Sequence, residues 1–277
     1  MTLSKYTGNF MKYRHLLREL VVKNIKLQYR NSVLGMLWTF LQPLMTMIVL
    51  AVVFSNLFGK DSKAVVNYPV YLLSGRLLYE FFTHSTKKAM KSIRSNASII
   101  KKVYVPKYIY PFSVVLSTFV TFLISLSVLV VVIAFFNIAK INPITISWQV
   151  LFALPPVIVL FFFGMGVGLI LATRNVFFKD IENLYEVFCL LLFYLTPIVY
   201  TLDRLGFEEG SWQLAALKFN PIFGIIDAFR AAVLHSTEFM SFFDGQSFLY
   251  STAFALVTFI IGIVVFYKNQ DKFILHI

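Results

Sequence analysis

Residues 108–139 read YIYPFSVVLSTFVTFLISLSVLVVVIAFFNIA and contain no Asp, Glu, Lys or Arg. Crossing the hydrocarbon core of a bilayer takes about 20 apolar residues in a helix, so this stretch is long enough to span a membrane by itself. Four other stretches are equally free of charge: 31–59, 141–173, 187–202 and 245–267. The third of these is short, but a helix that begins near Ile181 would make it long enough. The chain is therefore predicted to be an integral membrane protein.

A sixth span is predicted at 65–86, which is apolar apart from Arg76, Glu80 and His84. The composition agrees with a membrane protein, since 58% of the residues are hydrophobic and only 14% are charged. We expect an all-α fold with one membrane domain over residues 1–277. Its six transmembrane helices are predicted at 33–58, 65–86, 108–138, 145–173, 182–201 and 246–267.

The charged residues outside these spans are distributed unevenly. If the amino terminus is inside, the inside segments carry most of the Lys and Arg residues but fewer than half of the acidic residues. Such a bias orients membrane proteins with their basic side in the cytoplasm. We therefore expect a multi-pass protein with both termini in the cytoplasm. Because this pattern accounts for the net charge of +12, no nucleic-acid partner is expected.

The amino-terminal segment, 1–32, is predicted to contain an amphipathic helix that lies along the membrane surface. At 100° per residue, most of its charged side chains share one arc, and its leucines occupy the adjacent one. Helices of this kind bind at the interface between lipid and water. The helix is either a simple anchor that orients the chain or, in addition, a docking surface for a cytoplasmic partner or a charged lipid head group.

The sequence lacks the patterns that would indicate catalysis. It has no G-x-x-x-x-G-K-[ST] loop to bind nucleotide phosphates, and its histidines are scattered without the spacing of metal ligands. Gly164, Gly166 and Gly168 lie inside an uncharged span, where such spacing indicates close helix packing. Helix packing is also the role expected of the single cysteine, Cys189. We expect no catalytic residue and no metal or cofactor site in this chain.

Five stretches, taken in order, resemble those of one family of membrane proteins. They are LQYRNSVLGMLWTFLQPL (27–44), SIRSNASIIKKVYVPKYIYP (92–111), FFKDIENL (177–184), TPIVY (196–200) and FNPIFGIIDAFR (219–230). The family is that of the ABC-transporter permeases that export polysaccharides, O-antigens and teichoic-acid-type polymers. The resemblance covers nearly the whole chain, although Lys179 stands where an arginine is commoner in the family.

The resemblance implies a function and a set of partners. It implies a permease of the bacterial cytoplasmic membrane that pairs with a second copy of itself, with the polymer path between the two copies. Two cytoplasmic ATPase subunits would bind the ATP and Mg, so that the permease is not an enzyme by itself. The implied substrate is a polysaccharide or polyol-phosphate polymer on a polyprenyl pyrophosphate lipid, which moves from the inner to the outer leaflet.

The basic loop 87–107 is the predicted contact with the ATPase subunits. On a helical wheel, Met90, Ile93 and Ile100 share one face and basic residues take the neighbouring arc. Asn96 is expected to cap a second, short helix that ends before Pro106. Such a helix suits a groove of the ATPase, but a basic helix lying on anionic lipid would have the same pattern. The predicted coupling residues are Asn96, Ile99, Ile100, Lys101, Lys102 and Val103.

The outside segment 202–245 is too long for a simple turn and contains apolar patches. The resemblance implies two short helices that dip back into the membrane from outside and close the exit of the path, the second starting at Asn220 and Pro221. An ordinary amphipathic helix on the outer surface is the alternative. The residues predicted for this external gate are Pro197, Tyr200, Asn220, Pro221 and Arg230.

Two sets of charged residues are predicted to meet the substrate or its path. Lys23, Lys26 and Arg30 are expected to attract the pyrophosphate, because a guanidinium can hold a phosphate by two hydrogen bonds. They could equally orient the chain or hold anionic lipid. Arg76 and Glu80 stand where the family usually has apolar or small polar residues. Spaced i,i+4, they can pair at membrane depth, and they either stabilise the bundle or face the path.

Two other classes of protein stay open at this point. A permease of the same fold could export a drug or a simple lipid, since its spans would be similar. An integral membrane enzyme that acts on polyprenyl lipids would need acidic or histidine residues clustered at the membrane surface, and Asp180, Glu182 and Glu186 are the only candidates. We expect this acidic group instead to face basic residues of the ATPase or of the amino-terminal helix.

Overall fold

The structure, a computed structural model, describes residues 13–30, 32–54, 67–102, 105–202 and 211–276. The regular elements in these residues are helices, which confirms the all-α class for this part of the chain. In chain order they are α1 (Arg14–Gln28), α2 (Trp38–Phe54), α3 (Tyr68–Ser95), α4 (Ala97–Ile100), α5 (Ile109–Ile138), α6 (Leu154–Phe177), α7 (Ile181–Leu195), α8 (Trp212–Lys218), α9 (Pro221–Leu234), α10 (Phe239–Phe242), α11 (Gly245–Asn269) and α12 (Phe273–His276). Short 3-10 turns lead into α2, α6 and α12 at Gly35–Leu37, Trp148–Ala153 and Gln270–Lys272.

Four of the described helices are long and apolar enough to cross a membrane: α2, α5, α6 and α11, taken with their adjoining turns. They correspond to the first, third, fourth and sixth predicted spans. Between 17% and 44% of the residues in the most apolar part of each are buried inside the chain. Most of their apolar side chains therefore face outward, as expected of helices that are solvated by lipid.

The second and fifth predicted spans, α3 and α7, differ from these four. Helix α3 has 28 residues, about 42 Å of helix, but charged side chains follow its length. It continues to Ser95, beyond the predicted end at 86, because nothing interrupts the helical pattern before Asn96. Helix α7 has 15 residues and ends at Leu195 instead of 201, because Thr196 is extended ahead of Pro197. The count of six spans stays a prediction.

Helices α1 and α12, from opposite ends of the described chain, lie at the same end of the bundle. Leu17 and Leu20 of α1 belong to one buried cluster with Phe273 of α12 and with residues of α3 to α6 and α11. We call this the terminal end. A second cluster, which includes Phe122 and Ile225, fills the rest of the bundle. Both ends of the described part of the chain thus lie on one side, and the assignment of that side to the cytoplasm stays a prediction.

Three glycines of α6 bring two other helices into close contact with it. A Cβ at Gly166 would lie 2.6 Å from the backbone of Phe259 in α11, and a Cβ at Gly262 would lie 2.5 Å from the carbonyl oxygen of Gly166. Gly164 and Gly168 face α3 instead, where an added Cβ would meet side chains at 3.0 and 2.9 Å. The predicted role of these glycines in close helix packing is confirmed.

Short helices at the end opposite to the terminal end connect α7 to α11. Helix α9 packs against α3, α6 and α11, and most of its residues are buried. It begins at Pro221, where the sequence predicts it, and the side-chain oxygen of Asn220 accepts a hydrogen bond from the backbone N–H of Ile222 at 3.0 Å. That α9 is re-entrant stays a prediction. Part of the predicted gate segment, 203–210, lies outside the described residues.

Candidate functional site

One face of α3 combines exposure with charge. In the stretch 72–93, which is described throughout, the residues that are not buried are Arg76, Glu80, His84, Lys87, Lys88 and Lys91. On a helix they fall within an arc of about 120°, while the remaining surface packs against α2, α5, α6 and α7. Charged side chains inside an apolar bundle are costly against lipid, so they line water or another protein surface. We call these six residues the α3 charged face.

Arg76 and Glu80 form an ion pair on this face, as their spacing predicts. Nε of Arg76 lies 2.8 Å from Oε1 of Glu80, and the two side chains are 23% and 22% exposed. Pairing reduces the cost of placing two charges at this depth. His84 and Lys88 continue the row at the same four-residue spacing toward the terminal end. We missed these two residues in the sequence, although the spacing from Arg76 was the signal that could have found them.

A cavity of about 100 Å³ lies beside Glu80 and His84. Its walls come from the end of α1, from α2, α3 and α5, and from Tyr29. Helices α2 and α5 contribute polar groups to it, namely Thr39, Gln42, Thr118, Thr121 and Ser125, and its aromatic rings include Trp38, Phe81 and Phe122. The cavity is therefore lined both by polar groups (hydroxyl, amide, carboxylate and imidazole) and by aromatic rings.

The predicted head-group residues lie at the end of α1 that approaches this cavity. Lys23, Lys26 and Arg30 are exposed. Gln28, next to them, lines the cavity and accepts a hydrogen bond of 2.9 Å from Nζ of Lys88. This contact connects α1 to the α3 charged face. The opposite side of α1 packs into the buried cluster of the terminal end, so α1 has the amphipathic character that the sequence predicts.

The apolar stripe of the predicted coupling segment is folded into the chain's own core. Met90, Ile93 and Ile100 are 1%, 0% and 6% exposed. Met90 packs with residues of α7, and the two isoleucines pack with residues of α1 and α5. The expectation that this stripe is free to enter a groove of a partner is therefore wrong for these three residues. The wheel identified an apolar face correctly, but it could not distinguish an internal partner from an external one.

Among the described residues of the coupling segment after Asn96, those that stay exposed include two lysines. Ile99 is 38% exposed, and Lys101 and Lys102 are exposed beside it. Asn96 separates α3 from α4, but its side-chain amide donates to the carbonyl oxygen of Ser92 at 2.8 Å and so belongs to the end of α3. It makes no side-chain cap on α4, contrary to the prediction. Val103, the last predicted coupling residue, lies outside the described residues.

A buried asparagine joins α3, α6 and α7 at the terminal end. The side-chain amide of Asn175 donates to the carbonyl oxygen of Met90 at 3.1 Å and to Oε1 of Glu182 at 3.0 Å. The other carboxylate oxygen of Glu182 lies 3.1 Å from Nζ of Lys91. Glu182 thus contacts α3 and not the amino-terminal helix, which was one of the two predicted partners. The other two acids of the group are exposed, and a contact with the ATPase stays a prediction.

Further hydrogen bonds between α3 and α7 follow toward the other end of the bundle. The hydroxyl of Tyr185 lies 2.8 Å from that of Thr86, and the hydroxyl of Tyr79 donates to the carbonyl oxygen of Cys189. The thiol-bearing side chain of Cys189 is itself buried, as its predicted packing role requires. Polar contacts therefore hold the short helix α7 to α3 along most of its length.

Arg230 lies at the centre of the predicted external gate. Its side chain is buried and donates hydrogen bonds to the carbonyl oxygens of Pro197 (2.6 Å), Ile198 (3.1 Å) and Tyr71 (3.0 and 3.2 Å). Its Cζ lies 3.5 Å from the centre of the Tyr71 ring. A buried cation is stabilised when carbonyl dipoles and an aromatic face surround it. Arg230 thereby joins α9 to α3 and to the chain that follows α7.

The other predicted gate residues lie around the same segment. The amide of Asn220 donates to the hydroxyl of Thr196 at 2.8 Å. The hydroxyl of Tyr71 contacts the carbonyl oxygens of Pro197 and Tyr200 at 3.2 and 3.1 Å. The structure therefore brings all the predicted gate residues together, with α3 on one side and α9 on the other. The contribution of Tyr71 was missed, and no local signal in the sequence indicates it.

This chain is a polytopic helical membrane protein, because four of its described helices are long and apolar enough to cross a membrane. A charged face lies inside the bundle, and short helices lie between α7 and α11. The chain belongs to the family of ABC-2 type transporters, whose model matches residues 15–234. It is similar to two O-antigen export system permease proteins RfbA of Klebsiella pneumoniae, which are 30% and 31% identical to it over 95% of this chain and 97% of each relative. It is also 21% identical to the polysialic acid transport protein KpsM of Escherichia coli, over 91% of this chain and 92% of that protein.

Proposed function

We propose that this chain is the membrane subunit of an ATP-driven exporter that moves a lipid-linked polysaccharide across the bacterial cytoplasmic membrane. The α3 charged face lines the path of the polymer. The observation that carries this proposal is that every non-buried residue between Leu72 and Ile93 is charged or a histidine. The names of the relatives, O-antigen export permease and polysialic acid transport protein, support a polysaccharide as the cargo.

The charged face also supports pairing with a second copy. One protomer covers this face only in part, and lipid cannot solvate the rest of it at low cost. If two copies bring their α3 faces toward each other, the charged residues of both line one aqueous passage. A polyprenyl pyrophosphate lipid then stays in the bilayer while its glycan crosses through the passage. The ATPase subunits supply the energy, because the sequence contains no loop that binds nucleotide phosphates.

The test of the path uses an apolar replacement of the whole pair, Arg76→Leu combined with Glu80→Leu. If the pair only stabilises the bundle, well-packed leucines are neutral or stabilising, and transport persists. If the pair lines the path, the protein folds and binds its ATPase, but transport falls. The measurement uses proteoliposomes that contain the permease and its ATPase, and it follows the exposure of the lipid-linked glycan to an added glycosidase after ATP addition.

The same vesicles distinguish the substrate classes. A fluorescent phospholipid replaces the lipid-linked glycan in a parallel sample, and dithionite measures which leaflet it occupies. We expect ATP-dependent movement of the glycan but not of the phospholipid. Movement of the phospholipid alone would assign the chain to the exporters of simple lipids and would overturn the polysaccharide assignment.

We place the pyrophosphate of the substrate at Lys23, Lys26 and Arg30. All three are exposed, in the second half of α1 or just after it, and Gln28 at the end of this helix lines the cavity and contacts Lys88 of the α3 charged face. Arg30→Lys keeps the charge but loses the planar fork, whereas Arg30→Gln loses both. If the fork binds the phosphate, both variants lose the stimulation of ATP hydrolysis by the lipid-linked polymer. Wild-type stimulation in both variants would remove this role and leave orientation or anionic lipid as the explanation.

The proposed orientation has the terminal end in the cytoplasm and the segment between α7 and α11 outside. A test replaces Cys189 with Ser and places single cysteines at Ser95, at the end of α3, or at Ser211, before α8. An impermeant thiol reagent added to intact cells should label the second position but not the first. Labelling of position 95 from outside would reverse the orientation.

A further inference from the structure

The cavity beside Glu80 contains polar groups that its own helices leave unused. One oxygen of Glu80 pairs with Arg76, and the other makes no hydrogen bond within the described residues. The same holds for the side chains of His84 and Gln42, which are both exposed. A carboxylate oxygen, an imidazole and an amide thus converge on one space without partners among the described residues, which is a pattern typical of ligand sites.

The remaining walls add acceptors and flat apolar surfaces. The hydroxyls of Thr118 and Thr121 donate to carbonyl oxygens of their own helix at 2.9 Å, so their lone pairs stay free to accept hydrogen bonds. Trp38 lines the same cavity and is 47% exposed, which leaves part of its ring accessible. The cavity therefore offers hydrogen-bond acceptors on some walls and an aromatic face on another.

This combination selects among the chemical groups of a lipid-linked glycan. A phosphate beside Glu80 would meet a carboxylate, and the guanidinium of Arg76 is already paired with that carboxylate. A hydrocarbon chain would leave the polar walls without partners, which is costly away from water. A pyranose ring satisfies both kinds of wall, since its hydroxyls donate to acceptors and its C–H face packs on an aromatic ring. The cavity volume is about 100 Å³, space for about three water molecules at roughly 30 Å³ each, so a pyranose ring would enter the cavity in part and leave the rest of the ring on its exposed side.

The cavity also lies where a sugar would follow a bound pyrophosphate. Gln28 and Tyr29 form its wall at the end of α1, and Arg30 is the next residue. Gln28 is held by Lys88 at 2.9 Å, and the hydroxyl of Tyr29 contacts that of Thr39 on α2. The cationic end of α1 and the cavity are therefore connected by two side-chain contacts.

We propose that this cavity binds one pyranose ring of the lipid-linked glycan, with Trp38 against the ring and with Gln42 and Glu80 in contact with its hydroxyls. The proposal rests on the proposed export of a polysaccharide and adds a subsite to it. The ring is either the sugar attached to the pyrophosphate or any sugar of the chain that passes along the α3 charged face. Both sources have the same chemistry.

The test compares two probes that differ in one sugar, polyprenyl pyrophosphate and the same lipid carrying a single N-acetylglucosamine. Binding to the permease–ATPase complex in nanodiscs is measured for the wild type, Gln42→Leu and Trp38→Leu. Trp148→Leu is the matched control, since Trp148 is also exposed and does not line the cavity. We expect the wild type and the control to prefer the glycosylated lipid by at least about tenfold, and both cavity variants to lose that preference. Thermal unfolding of each variant verifies that its fold is intact.

Equal affinity of the wild type for the two lipids, or an undiminished preference in both cavity variants, would overturn the proposal. If a free oligosaccharide without lipid competes with the glycosylated lipid for binding, the site takes passing sugars. If it does not compete, the site takes the sugar next to the pyrophosphate. The vesicle assay of the wild type separates this test from that of the proposed function. If the wild type transports the glycan but does not prefer the glycosylated lipid, only the sugar subsite is ruled out. If the wild type does not transport the glycan, the proposed function is ruled out.

Discussion

Gly75 and Arg230 are in direct contact, and the glycine is what makes room for the arginine. A Cβ at position 75 would overlap Nη2 of Arg230. Although an arginine side chain is flexible at its end, this one is held by hydrogen bonds to three carbonyl oxygens from Tyr71, Pro197 and Ile198. Gly75 of α3 and Arg230 of α9 therefore act as one unit that joins the second predicted span to the external gate.

The Gly75–Arg230 contact predicts a non-additive pair of substitutions. Arg230→Met removes the hydrogen bonds that the guanidinium donates to three carbonyl oxygens, and we expect a loss of about 3 kcal/mol in the free energy of unfolding. Gly75→Ala displaces the guanidinium, with an expected loss of about 1–3 kcal/mol. The double variant should lose less than the sum of the two, by about 1 kcal/mol or more. Unfolding by SDS in mixed micelles measures each value.

Arg18→Met is the control for this cycle, because Arg18 is exposed on α1. Its effect should stay within about 0.5 kcal/mol. Strict additivity of Gly75→Ala and Arg230→Met would mean that the two residues act independently, contrary to the contact described.

Close packing of α6 on α11 predicts a second, separate loss of stability. Gly166→Ala would place its Cβ 2.6 Å from the backbone of Phe259, so the two helices must move apart. Overpacking of this kind costs about 1–3 kcal/mol. At Gly245 the nearest atom to an added Cβ is 3.4 Å away, at ordinary contact distance. We therefore expect Gly166→Ala to lower the thermal unfolding temperature in detergent and Gly245→Ala to leave it near the wild-type value. Equal temperatures for both variants would contradict the close contact.

The features that the sequence predicted well are those that a short window of residues determines. The uncharged stretches located α2, α5, α6 and α11, because length and apolarity alone decide whether a helix can cross a membrane. The pairing of Arg76 with Glu80 followed from one turn of helix. The start of α9, which the family resemblance implied, agrees with the local chemistry of Asn220 and Pro221, since these residues cap and begin the helix.

The features that the sequence did not predict depend on distant partners. Asn175 contacts a carbonyl 85 residues away, and Arg230 contacts one 159 residues away, so no local pattern indicates either bond. The burial of Ile93 and Ile100 was missed for a related reason. An amphipathic segment must bury its apolar face, but the sequence does not say whether α1 of the same chain or another protein covers it.

Glu182 contacts both the side-chain amide of Asn175 and the amino group of Lys91, and we predict that Asn175 contributes more to the free energy of unfolding than Lys91 does. Asn175 is fully buried, and Asn175→Ala would remove its hydrogen bonds to the carbonyl oxygen of Met90 and to Glu182, at a cost of about 1–3 kcal/mol. Lys91 is 51% exposed, and an exposed ion pair is worth about 1 kcal/mol or less, so Lys91→Met should have a small effect. The free energies of unfolding of the two variants decide the order. A larger loss for Lys91→Met would show that the ion pair dominates this junction.

The surface of the coupling segment yields the last prediction, which concerns two neighbouring isoleucines. Ile99 is 38% exposed and Ile100 is 6% exposed. If the segment docks into an ATPase subunit, Ile99 is the large apolar residue that stays exposed in its described part. Ile99→Asp should then weaken co-purification with the ATPase while the permease unfolds at its normal temperature. Ile100→Asp places a charge in the chain's own core, and it should lower the unfolding temperature whether or not an ATPase is present.

Leu275→Asp is the matched control, because Leu275 lies at the terminal end, is 82% exposed and belongs to α12, outside the coupling segment. It should leave both co-purification and the unfolding temperature unchanged. If the segment instead rests on anionic lipid, Ile99→Asp and Leu275→Asp should both co-purify with the ATPase as the wild type does. Replacing Lys101 and Lys102 with Gln should then reduce binding of the permease to anionic nanodisc lipid. Unchanged co-purification of Ile99→Asp together with unchanged ATP-driven transport would remove the docking role from this surface, since a buried carboxylate in a mostly apolar contact costs several kcal/mol and could not go unnoticed.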